Sequence, residues 1–399
     1  MFKTDQNASP SVSRAFDFQC RTRIVSGAGR AAHAGKLASE LGAKRVLLVT
    51  DAGLVGAGHA ARLQANLEAA GLHVTLFDRA RENPTTKCVD DCVAVAKSVG
   101  IDTIIGLGGG SAMDTAKGSN FILTNGGRMQ DYWGVGKAAK PMLPFIAIPT
   151  TAGTGSEMQS AALIADEQTH QKMACLDPKC AARIAILDPE LTLSQPARVT
   201  ACTGIDALAH AVETAVTTAR TPLSLMFSRE AFRLCLTAFP EVLMLPGNLE
   251  ARDLMQLGAA FAGAAIENSM LGAAHAAANP LTAHFGLVHG HAVGLMLPAV
   301  MRFNGGDDAA RAAYADLAVS AGIVSAGESH GHALGALLER LERILALTAL
   351  PRTLRECNVP SNDLPTLAQE AAGQWTAGFN PRRVTEAEFR ELYEAVSGD

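Results

Sequence analysis

The sequence predicts an α/β domain built on a parallel sheet, followed by a domain that is entirely helical. Up to about residue 193, short β-branched runs alternate with stretches of helical spacing. After residue 194, Ala- and Leu-rich stretches such as "SLMFSREAFRLCLTAF" and "DLMQLGAAFAGAAIENSM" predict consecutive helices. The chain has 399 residues, which is more than one hydrophobic core usually holds. We therefore expect two domains, at residues 1–193 and 194–399.

Five apolar runs in the first half predict the strands of the sheet. They are "RVLLVTD" (45–51), "VTLFD" (74–78), "TIIGLGGG" (103–110), "PFIAIPTT" (144–151) and "RIAILDP" (183–189). The segments "HAARLQANLEAAGL" and "CVDDCVAVAKSVG" lie between them and have helical spacing, which favours parallel strands joined by helices. The first dozen residues are expected to form a flexible tail, and "LTLSQPARVT" marks the domain boundary.

Composition excludes several classes of partner. A formal net charge of −5 and the lack of a basic cluster with interleaved aromatic residues argue against a nucleic acid. No stretch resembles a signal peptide or a membrane span, so we expect no membrane partner. The eight cysteines are scattered and form no CxxC pair, which is typical of a reduced, cytoplasmic protein.

The segment "GIDALAHAVE" (204–213) places a carboxylate and an imidazole four residues apart in an otherwise apolar helix. Asp206 and His210 would share one helix face, so both side chains can approach the same object. A solvated ion pair is disfavoured because the neighbouring residues are mostly Ala, Leu and Val. From these residues alone, a buried hydrogen-bonded pair and a metal site both remain open.

Two glycine-rich loops are candidates for binding the phosphates of a nucleotide. "GAGRAA" (27–32) fits the dinucleotide fingerprint, and Asp51 follows about 20 residues later at the end of a predicted strand. "GLGGGSAMDTAKG" (106–118) follows the strongest predicted strand and opens a helix, whose free amides can hold an anion. Each loop can also be a simple tight turn, so neither decides the question alone.

Four histidines lie close together in "AAHAAANPLTAHFGLVHGHAVG", at positions 275, 284, 289 and 291. In one unbroken helix, His275 and His289 would stand about 21 Å apart and could not share a metal. Asn279-Pro280 and Gly286 are helix-breaking signals, which predict a helix carrying His275, a break and a second element starting near His289. Folded back in this way, both imidazoles could join Asp206 and His210 in an N/O site suited to Fe²⁺ or Zn²⁺.

Five motifs together give the chain a strong resemblance to a known family. "GGGSAMDTAKG", "AIPTTAGTGSE", "DPELT", "TGIDALAHAVE" and "GAAHAAANPLTAHFGLVHGHAVGLMLPAVMRFN" occur in the order and at the spacing of the iron-containing (group III) alcohol dehydrogenases. The resemblance runs from about residue 17 to the C-terminus. It implies a Rossmann-like dinucleotide-binding domain, a helical metal-binding domain, and a divalent metal between them, Fe²⁺ first and Zn²⁺ as the alternative. The metal ligands it implies are Asp206, His210, His275 and His289.

The resemblance also implies how NAD binds. It assigns the pyrophosphate to the second glycine loop and leaves "GAGRAA" as an ordinary strand-to-helix turn. Asp51 matches the acidic residue that pairs with the adenosine ribose and repels a 2′-phosphate, and Lys172 matches a lysine near the nicotinamide ribose. The remaining cofactor-binding positions that it implies are Gly108, Gly109, Gly110, Ser111, Asp114, Thr150, Thr151 and Thr154.

One position departs from the pattern of the family. Many members carry a second histidine four residues after the third ligand, near substrate and nicotinamide, where this chain has Asn279. A proton relay through that position is therefore in doubt, and the proton is expected to leave through water or ribose hydroxyls. His284 and His291 match no ligand position and are expected to be polar residues of the cleft or of helix ends.

The resulting expectation is a metal-dependent oxidoreductase that transfers hydride between NAD(H) and a small primary alcohol or aldehyde. We also expect a homodimer or a larger homo-oligomer. A glycerol dehydrogenase or keto-acid reductase of the same superfold remains an alternative, as does a non-catalytic sensor of metal or nucleotide. The sequence does not identify the alcohol, because the size of the pocket depends on how the helices pack around Phe285 and Asn279.

Overall fold

A parallel sheet of six strands forms the centre of the N-terminal half in the computed structural model, which describes residues 15–169 and 171–398. Numbered in chain order and given in spatial order, its strands are β1 (Arg23–Ser26), β9 (Ile184–Leu187), β6 (Phe145–Pro149), β4 (Thr103–Gly108), β2 (Arg45–Val49) and β3 (His73–Phe77). All neighbouring pairs are parallel, which confirms the predicted sheet. The predicted flexible tail lies outside the described residues.

A second, smaller sheet was not predicted. It consists of β5 (Gly134–Val135), β8 (Lys172–Leu176) and β7 (Ala161–Ala165), in that order. "AALIA" and "KMACL" are short and carry almost no β-branched residues, so their local pattern does not indicate strands. They are stabilised by tertiary packing, since Ile164 joins Phe121 in a buried cluster beside the main sheet.

Helices cover both faces of the main sheet and make up nearly all of the second half. In the first half they are α1 (Ala34–Glu40), α2 (Ala52–Gly56), α3 (His59–Ala69), α4 (Thr86–Lys97) and α5 (Gly110–Asn125). In the second half they are α6 (Ala197–Val216), α7 (Pro222–Met244), α8 (Leu249–Glu267), α9 (Ala273–Phe285), α10 (His289–Asn304), α11 (Asp308–Ser320), α12 (His330–Leu347), α13 (Leu364–Ala372) and α14 (Glu386–Glu394). No helix within the described ranges is long and apolar enough to span a bilayer.

The alternation of side chains along β2 shows how the sheet is covered. Leu48 packs in one core cluster with Leu67 of α3, whereas Leu47 packs in another with Cys92 of α4. Because successive strand residues point to opposite faces, α3 and α4 lie on opposite sides of the sheet. Strands buried on both faces read as continuous apolar runs, which is why the sequence indicated them clearly.

The second half is helical, as predicted, and the described residues after Leu187 contain no strand. The last strand ends at Leu187 and α6 begins at Ala197, so the predicted domain boundary at residues 193 and 194 falls between two elements and stays a prediction. Helix α6 is buried on almost every side from Thr200 to Val216. A helix that is enclosed in this way presents its few polar side chains to other protein groups.

The histidine-rich segment forms two helices with a break, but the break lies at only one of the two predicted signals. Gly286, with a left-handed φ of 63°, ends α9, and α10 begins at His289. The expectation of a break at Asn279-Pro280 was wrong, because Pro280 lies inside α9. A buried helix can tolerate such a residue, since surrounding packing outweighs the loss of one backbone hydrogen bond.

The loop after β6 connects the two halves by close backbone contact. A Cβ atom at Gly155 would lie 2.6 Å from Cα of Gly263 in α8, and one at Gly153 would lie 2.5 Å from Cβ of Thr203 in α6. Only glycine allows this approach. The carboxyl edge of the sheet is therefore held directly against helices α6 and α8.

Candidate active site

Three side chains from two helices of the second half form a buried cluster of potential metal ligands. Asp206 and His210 come from α6 and His275 from α9, and one ligand atom of each lies within 4.8 Å of the others. Nε2 of His210 and Nε2 of His275 each stand 3.5 Å from Oδ1 of Asp206. The two imidazole rings are stacked, with centroids 4.8 Å apart.

The donor atoms of this cluster fit a divalent cation. Oδ1 of Asp206 and Nε2 of His275 are buried and have no hydrogen-bond partner. Leaving such atoms unsatisfied costs about 1–3 kcal/mol each, and these two lie only 3.5 Å apart, so that one bound cation would satisfy both. One carboxylate oxygen and imidazole nitrogens are ligands that suit Fe²⁺ and Zn²⁺.

His289, the fourth predicted ligand, lies beside the cluster at the start of α10. Its ring centroid is 5.4 Å from that of His275, and its buried Nδ1 has no hydrogen-bond partner. The break after α9 therefore brings the two histidines together, as the sequence analysis expected. The group of atoms that lie within 4.8 Å of one another includes Asp206, His210 and His275, whereas His289 is adjacent to it.

Two of the histidines are oriented by hydrogen bonds from their other ring nitrogen. Nδ1 of His210 donates to the carbonyl of Gly153 at 3.2 Å, and Nδ1 of His275 donates to Oε2 of Glu213 at 2.6 Å. Such partners select the tautomer whose Nε2 lone pair is free to bind a metal. Neither partner was predicted from the sequence, although Glu213 lies two turns after Asp206 in the "GIDALAHAVE" segment.

Burial and mutual charge set the pKa values of the cluster. Burial opposes ionisation of Asp206, yet the neighbouring histidines hold its pKa below the usual range. Burial alone would lower the pKa of His275, but the carboxylates of Glu213 and Asp206 raise it to about 9. Burial, with Lys172 nearby, lowers the pKa of His289 to about 3. Burial also lowers the pKa of His210, so the cluster combines concentrated negative charge with two imidazoles whose neutral form is favoured.

The predicted nucleotide-binding residues meet at the carboxyl edge of three adjacent strands. Asp51 follows β2, Gly108 ends β4 and Thr150 follows β6, and the amide of Thr150 donates to the carbonyl of Gly108 at 3.0 Å. Asp51 caps α2 by accepting the amide of Leu54 at 3.0 Å. This edge is where open parallel sheets bind ligands.

The three glycines of the second loop allow close contact with protein groups. A Cβ at Gly109 would lie 3.2 Å from Thr151, and one at Gly110 would lie 3.0 Å from Thr154. The glycines thus bring the amides that open α5 beside two predicted threonine contacts, and Ser111 lies in the first turn of this helix. No side chain caps α5, so its first amides remain available to a ligand.

The first glycine loop has a different environment. Its amides at Gly29 and Ala31 donate to the carboxylate of Asp188, at 3.1 and 2.9 Å. Asp188 follows β9 in the "DPELT" motif and is almost fully buried. A protein carboxylate therefore occupies the position that a phosphate would need, and "GAGRAA" is a turn held by its neighbour.

A buried lysine, also missed in the sequence, ties α5 to the loop after β6. Nζ of Lys117 donates to Oγ and O of Ser156, at 2.9 and 2.6 Å, and Oγ of Ser156 donates to Asp114 at 3.2 Å. Burial raises the pKa of Asp114 to about 6, against the opposing effect of Lys117. These hydrogen bonds link α5 to the loop after β6, which also carries Thr150, Thr151 and Thr154.

Lys172 lies between the two groups of residues. It begins β8, and the nearby carboxylates of Asp114 and Asp206 both favour its charged form, which by itself would raise its pKa. Its side chain is accessible to solvent, yet desolvation by the surrounding protein lowers its pKa. Lys172 is thus close enough to both Asp114, beside the glycine loop, and Asp206, in the cluster, to interact electrostatically with each.

The other histidines and Asn279 have separate partners. Nε2 of His284 forms an exposed hydrogen bond with the carboxylate of Glu370 at 2.8 Å, and Nε2 of His291 donates to the carbonyl of Pro351 at 2.7 Å. Asn279 lies one turn after His275 on α9, and its Nδ2 donates to Oε1 of Gln374 at 3.0 Å.

Two family models cover most of the chain. Residues 21–189 match "Iron-containing alcohol dehydrogenase", and residues 200–397 match "Fe-containing alcohol dehydrogenase family, C-terminal". The two matched segments correspond to the sheet half and the helical half, respectively. These matches confirm the resemblance indicated by the motifs.

Individual relatives are similar over nearly the whole chain. The NAD-dependent methanol dehydrogenase of Bacillus methanolicus is 34% identical over 92% of this chain and 96% of its own length. Lactaldehyde reductase of Escherichia coli K12 is 34% identical over 89% of this chain and 92% of its own. Among solved structures, that of a 1,3-propanediol oxidoreductase superposes with a TM-score of 0.93 at 31% identity, covering 96% of this chain and all of that one.

Proposed function

This chain belongs to the iron-containing alcohol dehydrogenase family, and on that premise we propose that it is an NAD-dependent oxidoreductase acting on small primary alcohols or aldehydes. It transfers hydride between the nicotinamide and the carbinol or carbonyl carbon. The observation that carries the proposal is the buried cluster of Asp206, His210 and His275, in which Oδ1 of Asp206 and Nε2 of His275 have no hydrogen-bond partner.

The proposed metal ligands are Asp206, His210, His275 and His289. Three of them form the tight cluster, and the buried, unpartnered Nδ1 of His289 supports its inclusion. Fe²⁺ is our first assignment, because of the family, and Zn²⁺ uses the same types of ligand. A divalent cation bound here acts as a Lewis acid, which favours ionisation of an alcohol hydroxyl and polarises an aldehyde carbonyl.

The residues around the cluster prepare it for that chemistry. Gly153 and Glu213 hold the imidazoles of His210 and His275 with Nε2 directed towards Asp206. The cluster is buried, so bulk water is excluded and electrostatic interactions within it are strengthened. A bound nicotinamide would supply the hydride chemistry, while the protein supplies placement and charge.

NAD is proposed to lie along the carboxyl edge of the sheet. The amides opening α5 would bind the pyrophosphate, Asp51 would accept from the adenosine ribose hydroxyls, and Lys172 would contact the nicotinamide ribose. The other proposed contacts are Gly108, Gly109, Gly110, Ser111, Asp114, Thr150, Thr151 and Thr154. Support comes from the position of these residues at adjacent strand ends and from Lys172 lying between that edge and the cluster.

The substituted position, Asn279, changes the route of the proton. Its amide is engaged with Gln374 and cannot accept and release a proton as an imidazole does. The hydroxyl proton is therefore proposed to leave through water or the ribose hydroxyls.

A direct assay tests the proposed activity. Protein stripped of metal by a chelator is reloaded anaerobically with Fe²⁺ or Zn²⁺, and NADH absorbance is followed with a panel of small alcohols and aldehydes. Glycerol and 2-keto acids belong in the panel, since preferential turnover of either would favour one of the related reductases. If no compound changes NADH absorbance in a metal-dependent way, the enzyme proposal fails and a non-catalytic sensor is favoured.

Assembly and compartment are further parts of the proposal. We expect a homodimer or larger homo-oligomer in the cytoplasm, and all eight cysteines are free thiols, as a reducing compartment would maintain them. Light scattering of the purified protein measures the assembly, and a monomer at micromolar concentration would contradict it.

A further inference from the structure

We propose that Glu213 is a positioning residue that sets both the tautomer and the orientation of His275 for metal binding. This inference rests on the proposed function, since it concerns the same metal site. Glu213 lies on α6, seven residues after Asp206, and only 3% of its surface is exposed.

The carboxylate of Glu213 is fully engaged by the start of α9. Oε2 accepts from Nδ1 of His275 at 2.6 Å and from the amide of Gly272 at 3.0 Å, and Oε1 accepts from the amide of Ala274 at 2.7 Å. Three donors converge on two oxygens, so the carboxylate cannot rotate without losing a contact. The imidazole and the backbone that carries it are thus held by the same group.

These contacts determine which nitrogen of His275 is free. An ionised carboxylate can only accept hydrogen bonds, so the proton of a neutral imidazole must reside on Nδ1. Nε2 then presents its lone pair, and this is the buried, unpartnered atom 3.5 Å from Oδ1 of Asp206. An acceptor behind Nδ1 also makes the imidazole a stronger ligand.

Charge supports the same assignment. Asp206 and Glu213 are two buried carboxylates that both contact His275, and their combined negative charge would neutralise one divalent cation. Burying two like charges close together is costly, and a bound divalent cation would balance both. His210 differs, because its Nδ1 has only the neutral carbonyl of Gly153 behind it, at the longer distance of 3.2 Å.

A purely structural role is the competing explanation, because Glu213 also caps the start of α9. The chain offers a matched control in Asn380, whose Oδ1 accepts from the amide of Ala273 at 3.3 Å and from Nδ2 of Asn304 at 3.1 Å. The hydrogen bonds of Asn380 reach the same helix start and go to Ala273, Asn304 and Arg382, whereas His275 bonds to Glu213. Asn380→Ala therefore disturbs the anchoring of α9 while leaving the hydrogen bond to Nδ1 in place.

The experiment compares Zn²⁺ affinity in wild-type protein, Glu213→Gln and Asn380→Ala by competition with a chromophoric chelator. Glutamine keeps the size of Glu213 but places a donor NH₂ against one of the three donors, and it removes the charge. Glu213→Gln should bind Zn²⁺ about 10–100-fold more weakly, with NADH binding, measured by fluorescence, unchanged. Asn380→Ala should lower the melting temperature and change Zn²⁺ affinity less than about threefold, as expected when the partner of the ligand is untouched.

Several outcomes would overturn the inference. Wild-type affinity in Glu213→Gln contradicts it, and so does an equal loss of affinity in Asn380→Ala, which would assign the effect to helix anchoring. If Glu213→Gln does not fold, Glu213→Asp keeps a carboxylate with a shorter reach, and unchanged Zn²⁺ affinity in that variant again contradicts positioning.

Failure of the metal site itself gives a different result. In that case wild-type protein binds no Zn²⁺, or Asp206→Ala binds it as tightly as wild type, and both proposals fall together. If wild-type protein binds Zn²⁺ through Asp206 and Glu213→Gln does so equally well, only the role of Glu213 is excluded.

Discussion

The sheet edge and the helical cluster are built from opposite kinds of binding group. At the sheet edge, glycines 108 to 110 and the first amides of α5 offer backbone donors, with short threonine side chains beside them. In the helical half, the candidate ligands are the side chains of Asp206, His210 and His275, all enclosed by protein. The first arrangement suits an extended anionic ligand, and the second suits a small cation.

Buried carboxylates behave differently in the two regions. Burial raises the pKa of Asp114 to about 6 and that of Glu157 to about 7 in the sheet half. In the cluster, burial acts in the same direction on Asp206 and Glu213, yet neighbouring histidines hold both pKa values below the usual range. In the cluster, negative charge is thus retained where histidines surround it. The difference implies that each region can be disabled without the other.

The largest expected effect comes from removing a metal ligand. Asp206→Ala or His275→Ala should lose bound metal and lower turnover by about 1,000-fold or more, because Lewis-acid assistance contributes several kcal/mol. NADH binding should persist, since the proposed nucleotide contacts belong to the sheet half. Metal analysis, turnover and NADH fluorescence measure the three properties separately.

His284→Ala serves as the control for the ligand variants. Its imidazole is exposed and paired with Glu370, so metal content and turnover should stay near wild type. Full metal content in Asp206→Ala, or loss of metal in His284→Ala, would show that the wrong side chains have been assigned.

The converse change disables the sheet edge. In Gly109→Val, a side chain would collide with Thr151, since a Cβ alone would lie 3.2 Å from it, and would displace the threonine from the opening of α5. NAD affinity should fall by about 100-fold or more, the equivalent of two or three hydrogen bonds to a charged group. Metal content should be unchanged, and isothermal titration with NAD measures the loss.

Gly29→Val tests whether the first glycine loop has any part in binding. Gly29 has a left-handed φ of 73°, so valine should destabilise the fold by about 1–2 kcal/mol through backbone strain. NAD affinity should be unaffected, because Asp188 already occupies the amides of that loop. A variant that folds but no longer binds NAD would reverse the assignment of the two loops.

Cofactor choice should depend on Asp51. A carboxylate about 4 Å from a 2′-phosphate costs roughly 4 kcal/mol per unit of like charge before salt screening, which favours NAD over NADP. Asp51→Gly should relax this preference by at least about tenfold, the equivalent of 1.4 kcal/mol after screening. The ratio kcat/KM with each cofactor gives the preference.

Asp51→Asn separates the charge of Asp51 from its structural role. Asparagine also caps helices, so it can replace the contact with the amide of Leu54 while removing the negative charge. It should relax the preference as far as glycine does. Equal use of NAD and NADP by the wild-type enzyme would contradict the role given to Asp51.

The smallest expected effect concerns Glu157, the buried carboxyl group in the loop between the two regions. Its pKa is raised from 4.5 to about 7 by burial, so the group favours folding while it is protonated. That contribution is complete below pH 4.5 and is lost as pH rises through 7. The unfolding free energy of Glu157→Gln minus that of wild type should therefore increase by about 1–3 kcal/mol from pH 5 to pH 8. Urea unfolding at the two pH values measures the gain, and parallel stability curves would contradict the raised pKa.

Local sequence determined the elements whose signals lie within a few residues. The strands β2, β4, β6 and β9 are almost fully buried and stand out as apolar runs, and the edge strand β3 was visible from its β-branched and aromatic residues. Asp206 and His210 share a helix face because four residues are about one turn. Both glycine loops were visible, and so was the helix break at Gly286.

Tertiary structure decided what those elements contact. Asp188, 159 residues away from Gly29, occupies the amides of the loop with the better fingerprint, and no local pattern could show this. The small sheet depends on packing rather than on strand propensity, and Pro280 lies within a helix because its surroundings stabilise the turn.

Tertiary packing also completes the proposed metal site. His275 reaches Glu213 across 62 residues of sequence, through the packing of α9 on α6. A sequence fixes which donors are present and how they are spaced along one element. Only the packing of elements decides which buried donor atoms lack a partner, because that depends on every group that can reach them, and those unsatisfied atoms are what identify the site.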